Sequence, residues 1–463
     1  MKSLIKLFLC ILFYIPLLSQ SPYENYKYKY PYTDGVPAER YKARRDSVLQ
    51  SLTNHSAAII FSSDFYVASS SSLTHQIQNS NLYYLTGMPA QKAVLLLIPE
   101  GFTIDGKIVK EILFIEPQLA KNILWNGVEM GINDADHILK IENVLNISEL
   151  NPTLEKIFRN RDTLFIAEFP RANPAIFNDK LTFEEHFETI KQLKEKYTEL
   201  NIESGIPVLK KLRSIKDIDE IRLLQKAIDI TVKGHIETIK SAKPGNTEYE
   251  LEATMEYVFK RLGAENPGYA SIIGAGPDAC ILHSITNRDT INPGELVLMD
   301  CGAEYHGYTA DISRTFPISG KFSREQKIIY NIVIEAQDSA FAECYPGNAT
   351  IQPHVTAKRI ITQRLLELGI IKNESEVINY FPHGTSHQIG LEVHDYGYGD
   401  VLNSGNVITI EPGIYIPAGS DTDSKWWNIG VRVEDDVLIT DIGHKLLSKD
   451  LPRKAEDIEN LMK

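Results

Sequence analysis

The sequence predicts a protein of the α/β (α+β) class in two parts. A mixed α/β domain comes first, and a domain with pseudo-two-fold internal symmetry follows it. Three observations predict this. Short apolar runs bounded by turn residues alternate with helical stretches over about residues 36–205. The second half opens instead on amphipathic helices, with apolar residues at three- and four-residue steps. The same half carries one short pattern twice, without gaps.

In the first part, Ala38–Leu52 has helical character and Ala57–Phe61 (AAIIF) reads as a strand. The runs NLYYLTG and KAVLLLIP, within Asn81–Pro99, read as strands around a turn at Gly87. Lys110–Pro117 and Asp162–Ala167 are further strands. No catalytic cluster is visible here. The boundary falls near Ile206–Leu212, giving domains at 36–208 and 209–463. Beyond it, Ser214–Asp217 resembles a capping box, and Ile221, Leu224, Ile228, Val232, Ile236 and Ile239 form one helix face. Thr247–Glu250 and Ser323–Gln326 open two more helices, with Gly263 stopping the first of these. Strand runs follow at Leu296–Asp300, Val407–Glu411 and Val431–Ile439.

Composition excludes several function classes. The 463 residues are 43% hydrophobic and 24% charged, a globular balance that argues against disorder, collagen and coiled coil. With Lys+Arg at 48 and Asp+Glu at 61, the formal net charge of −13 repels polyphosphate, so no nucleic-acid partner is expected. Residues 1–19 read as a signal peptide. Lys2 and Lys6 precede the uncharged run Leu7–Leu18, and small residues follow at Ser19-Gln20-Ser21. The expectation is a secreted or periplasmic protein. No later run reaches the ~18 apolar residues a membrane helix needs, so no stable insertion is expected after cleavage. Residues 20–35 are rich in Tyr and Lys and read as an extended segment on the surface. Cys10 leaves with the signal, and Cys280, Cys301 and Cys344 lack the spacing of a disulfide scaffold or zinc ribbon, so no bridge is expected.

The repeat carries the chemistry. NPGELVLMDCG (Asn292–Gly302) aligns to NSGNVITIEPG (Asn403–Gly413), each a turn, a strand and a carboxylate at the strand's end. The acids are Asp300 and Glu411, followed on neighbouring strands by Asp311 and Glu434. If the two units meet, four carboxylates converge and repel one another unless cations neutralise them. HGTSHQIGLEVHD adds His383, His387 and His394, and neutral imidazole is a natural ligand for Mn, Co or Zn. His283, in ILHSITN, is a weaker candidate on its own.

These motifs resemble those of the proline-specific metallopeptidases of pita-bread fold, and among them the aminopeptidase P family. Asp300, Asp311, His387, Glu411 and Glu434 match that family's five metal ligands in order and local motif. NSNLYYLTGMPAQKAVLLLIP resembles its N-terminal domain, and LPRKAEDIENLM (Leu451–Met462) its usual ending. The resemblance runs from about Ala38 to the end of the chain. It implies a pita-bread catalytic domain with two divalent ions, Mn²⁺ first with Co²⁺ or Zn²⁺ as alternatives, bridged by a water or hydroxide. Asp311 and Glu434 would bridge both ions, Asp300 would complete one shell, and His387 and Glu411 the other. Glu411 would be the general base and His394 would stabilise the oxyanion. His383 and His283 would contact the prolyl residue, and Arg432 would orient acidic ligands. The implied partners are peptides with proline in second position, and the implied assembly is a homodimer or homotetramer.

Two departures stand out. Ser284 follows His283 where relatives often carry Tyr, and Pro417–Asn428 lengthens the link between the two Glu strands, with Trp426 and Trp427 placed to cap the site or to pack beneath the loop. The alternative activity is that of prolidase, which shares fold and ligands but cleaves only Xaa-Pro dipeptides. Creatinase-like enzymes need no metal, and methionine aminopeptidases lack this N-terminal domain. A non-enzymatic binding module of the same fold is disfavoured by the five intact ligands.

Overall fold

Residues 26–63, 78–89, 91–118, 123–124, 127–167 and 184–463 are described by the computed structural model. The expected signal peptide lies outside them. No helix among the described residues is long and apolar enough to cross a membrane.

A six-stranded sheet organises the first part. Its strands are β1 (Ser56–Phe61), β2 (Ala93–Ile104), β3 (Lys107–Ile115), β4 (Val144–Asn146), β5 (Thr163–Ile166) and β6 (Asn201–Ser204), in the order β4-β3-β2-β1-β5-β6. The pairs β1–β2 and β2–β3 are antiparallel, and the outer pairs are parallel. The central strands alternate between two apolar clusters. Ile60, Leu95 and Leu113 face one, and Ile59, Leu96 and Phe114 face the other. The run NLYYLT is a correction to the sequence reading. It forms the helix Ser80–Thr86, capped by the Asn79 side chain and ended by Gly87 at φ 70°. Its aromatic, β-compatible composition lost to the Asn cap and to burial on all sides.

A short helix, Ile206–Ser214, leads into the second part. There the capping box belongs to Asp217, not Ser214: Asp217 accepts from the N–H groups of Asp219 and Glu220, and Glu220 returns to the Asp217 N–H. Ser214 instead ends the preceding helix. The helices Ile218–Ser241 and Glu248–Arg261 form one antiparallel pair, and Arg324–Phe341 and Gln352–Glu367 form another. Each pair precedes one copy of the repeat. Cys280, Cys301 and Cys344 are unbonded thiols.

The described part of the Tyr/Lys-rich segment, residues 26–35, forms no helix or strand, and it is pinned down. Tyr30 donates its hydroxyl to the Gly87 carbonyl at 2.7 Å. His306 places Nε2 2.6 Å from Asp34 and Nδ1 2.7 Å from Glu265. Burial alone would lower the His306 pKa, but the bonds to Glu265 and Asp34 outweigh it and hold the value above the ordinary 6.5. Because the folded pKa is raised, this contact stabilises fully below the unfolded value and fades as pH climbs through the folded one. The melting-temperature advantage of the unmodified protein over His306→Gln should therefore shrink as pH rises above 6.5 and through the raised folded value. An advantage independent of pH would disprove the charged contact.

Candidate functional site

Each copy of the repeat builds a strand pair with its acids at one end. Leu296–Cys301 pairs antiparallel with Ile312–Pro317, Asp300 opposite Ser313, and Asp311 immediately precedes the second strand. Val407–Ile410 pairs with Asp435–Thr440, and Glu411 and Glu434 sit at the end where Ile410 faces Asp435. A small hairpin is inserted between the acids in both copies: Ala303–Tyr305 with Tyr308–Thr309, and Gly413–Ile416 with Ile429–Arg432. The turns repeat as well. Gly294 and Gly405 have φ of 88° and 91°, a region only glycine enters freely. The symmetry ends at the third strand, which joins Leu296–Cys301 in the first sheet but Asp435–Thr440 in the second.

The two units meet where Glu434 donates its N–H to the Ser313 carbonyl at 3.1 Å and accepts the Ser313 hydroxyl at 2.7 Å. This junction gathers the predicted acids. Ligand atoms of Asp311, His387 and Glu434 lie within 4.8 Å of one another. His387 Nε2 is 3.4 Å from Asp311 and 3.4 Å from Glu411. The Tyr269 hydroxyl lies 2.7 Å from Asp300 and 2.7 Å from Asp311, tying Asp300 into the group.

The electrostatics are those of a site short of positive charge. Burial raises Glu434 far above the usual carboxylate range, and repulsion from Asp311 and Glu411 adds to it. Burial and Asp300 raise Asp311. Burial raises Glu411 to about 7 despite the neighbouring His387. Asp300 alone is held low: burial would raise it, but the Arg432 guanidinium at 2.5 Å prevails. For His387, burial would depress the pKa, yet the bond to Asp311 pushes it up to about 9. Asp436 lies behind the cluster, accepting the Asp311 N–H at 3.1 Å, and its other oxygen is buried without a partner. Converging buried carboxylates with one imidazole, opposed by one fixed guanidinium, match the donor chemistry of hard or borderline divalent ions. The residues present fit such ions.

Arg432 is 3% exposed and spans the site. It donates to Asp300, to Ser313 Oγ at 2.9 Å and to the Tyr415 hydroxyl at 3.0 Å, and reaches the Leu282 carbonyl at 3.5 Å. Tyr415 in turn sits 2.9 Å from His383 Nε2. Burial and Arg432 lower the His383 pKa to about 4, so its ring is neutral near pH 7. The His394 ring stands at 89° to that of His387, centroids 4.4 Å apart. His283 is exposed, beside Leu282, and its charge bears on both His383 and His394. All nine predicted site residues thus lie in or around one centre.

Sequence reasoning missed Tyr269, Ser313 and Tyr415. Tyr269 has no counterpart in the repeat, and a Ser within a strand carries no signal. Tyr415 lies two residues past the second copy of the repeat, where no pattern marks it. Trp426 packs in the core at 5% exposure, and Trp427 donates to the Ser420 carbonyl at 3.2 Å, within its own loop.

Residues 222–441 match the model of metallopeptidase family M24, and residues 41–166 match the aminopeptidase P N-terminal domain. A Xaa-Pro aminopeptidase of Haemophilus influenzae is 36% identical over 445 residues, 93% of this chain and 99% of that one. The structure of aminopeptidase PepP from Pseudomonas aeruginosa superposes with a TM-score of 0.84 at 32% identity, over 92% of this chain and 98% of that one. Aminopeptidase P of Escherichia coli, solved with the inhibitor Pro-Leu, gives a TM-score of 0.83 at 31% identity with the same coverage.

Proposed function

This chain belongs to metallopeptidase family M24, with the aminopeptidase P type of N-terminal domain, and from that membership and the Lys2–Leu18 pattern we propose a secreted enzyme that uses two divalent ions to release an N-terminal residue from a following proline. It is a hydrolase of peptide bonds, a Xaa-Pro aminopeptidase. The observation that carries the two-ion reading is the meeting of Asp300, Asp311, Glu411 and Glu434, four carboxylates beside Arg432 and His387. Asp311 and Glu434 would be shared between the ions, Asp300 would serve one, and His387 and Glu411 the other. When bound, two such ions acidify a shared water and polarise the scissile carbonyl, and Mn²⁺ is the ion proposed.

The side chains do the rest. Glu411, beside His387 at 3.4 Å, takes the proton of the attacking water and passes it toward the leaving nitrogen. His394 faces the developing oxyanion. His383, kept neutral, and His283 hold the prolyl residue and its peptide groups. Arg432 fixes Asp300 and, through Tyr415, His383. The Lys2–Leu18 pattern supports secretion.

The test compares Xaa-Pro-Xaa tripeptides with Xaa-Pro dipeptides on purified protein, with and without Mn²⁺. Tripeptides and longer peptides should be cleaved much faster than dipeptides, and only with metal. Better cleavage of dipeptides would give the reading to prolidase while leaving fold and ligands in place.

A further inference from the structure

The turn from His387 to His394 closes on the residues that follow its two histidines. Asp395 donates its N–H to the Gln388 carbonyl at 2.9 Å, and this bridge brings the two rings side by side. The interior of the turn is filled by the Asp395 carboxylate. A Cβ at Gly390 would lie 1.9 Å from Asp395 Oδ2, so only glycine leaves room for it. Asp395 matches no metal ligand, yet both its oxygens face buried cations. Arg213 Nη2 is 2.6 Å from one, and Lys216 Nζ is 3.4 Å from the other and 3.3 Å from Gln388 Oε1. Neither cation belongs to the catalytic repeat. Arg213 is in the last turn of Ile206–Ser214 and Lys216 follows it, on the connection between the two domains. Arg213 also donates to Asn81 Oδ1 at 2.7 Å, on the helix Ser80–Thr86 of the first domain, and lies 4.4 Å from the Tyr396 ring centre.

Burying two cations costs several kcal/mol each unless they are fully paired. A structural turn needs no such arrangement, whereas a turn whose histidine must meet a charge formed during reaction does. We propose that Arg213 and Lys216 are positioning residues. They lock the Asp395 carboxylate and thereby hold His394 in its catalytic orientation, with Asn81 of the first domain completing the clamp. This rests on the oxyanion role given to His394 above.

The experiment is a double-mutant cycle in the full chain, read as kcat and KM separately on a Xaa-Pro tripeptide at saturating Mn²⁺. Arg213→Lys keeps the charge but loses the planar fork. It should lower kcat about tenfold with KM nearly unchanged, because a small displacement of a reacting group suffices for that. In a His394→Ala background the same change should alter kcat less than about twofold, since its effect passes through His394. Asn81→Ala, which keeps every charge, should show the same dependence at smaller size, and it decides the matter if Arg213→Lys does not fold. Equal losses in both backgrounds, or no loss from either variant, would overturn the proposal. If His394→Ala alone leaves kcat unchanged, the His394 role fails and the clamp's purpose with it. An additive cycle on top of a clear His394→Ala effect sinks the clamp alone.

Discussion

Glu434→Gln should abolish metal binding and lower kcat/KM by about 10³-fold, the scale of several kcal/mol of lost ion chemistry. Glu434 is buried, 1% exposed, and accepts from Ser313 on one oxygen. Gln keeps that bond and the volume, so the change isolates the charge. Its effect on stability should depend on metal. In the metal-free protein, burial and repulsion from Asp311, Glu411 and Asp300 force Glu434 to take up a proton on folding, a cost that a Gln does not carry, so the variant should melt at a higher temperature. With metal present the order should reverse, because the unmodified protein gains the binding free energy that the variant lacks. Asp300→Asn and Asp311→Asn should likewise lose metal and activity together. His387→Ala should lose metal, while His383→Ala should keep it and lose about tenfold in kcat/KM, because His383 bonds Tyr415 and its proposed role is to hold the prolyl residue. Metal analysis beside kinetics checks each one. Full activity and metal content in Glu434→Gln would dismantle the ligand set.

The acids were legible because the repeat is legible. Asn292 and Asn403, Gly294 and Gly405, and the acids Asp300 and Glu411 recur at one spacing, and each has a local cause. Both asparagines donate their side-chain amides to a carbonyl two residues back, at 3.3 and 3.0 Å, and both glycines take left-handed turns. What was not legible depends on contacts between distant segments. Tyr269 reaches Asp300 and Asp311 because Ile272–Ala275 pairs beside Leu296–Cys301, and no local pattern announces that. NLYYLT was misread because its composition suits a strand, whereas the Asn79 cap and Gly87 set a helix. Lys216 and Arg213 look like ordinary surface cations in sequence, and both are buried against the distant Asp395, with Asn81 added for Arg213.

Arg432 should give the second large effect. Four acceptors from separate segments converge on it: Asp300, Ser313, Tyr415 and the Leu282 carbonyl. A lysine ammonium keeps the charge but cannot serve acceptors spread around a planar guanidinium. Arg432→Lys should therefore lower kcat/KM by about 10²-fold, the usual scale for losing an outer partner of a ligand. Arg432→Met also removes the charge. It leaves the buried Asp300 carboxylate uncompensated and should cost about 3 kcal/mol in a urea melt of the metal-free protein. Asp300 is the one carboxylate of the group held low, by Arg432 against burial, so it contributes stability at neutral pH that fades as pH falls through its folded pKa. In Arg432→Met that contribution is gone, and the stability gap between variant and unmodified protein should narrow on acidification. Two observations would count against the role assigned to Arg432: near-normal kcat/KM in Arg432→Lys, or a stability gap in Arg432→Met that does not change with pH.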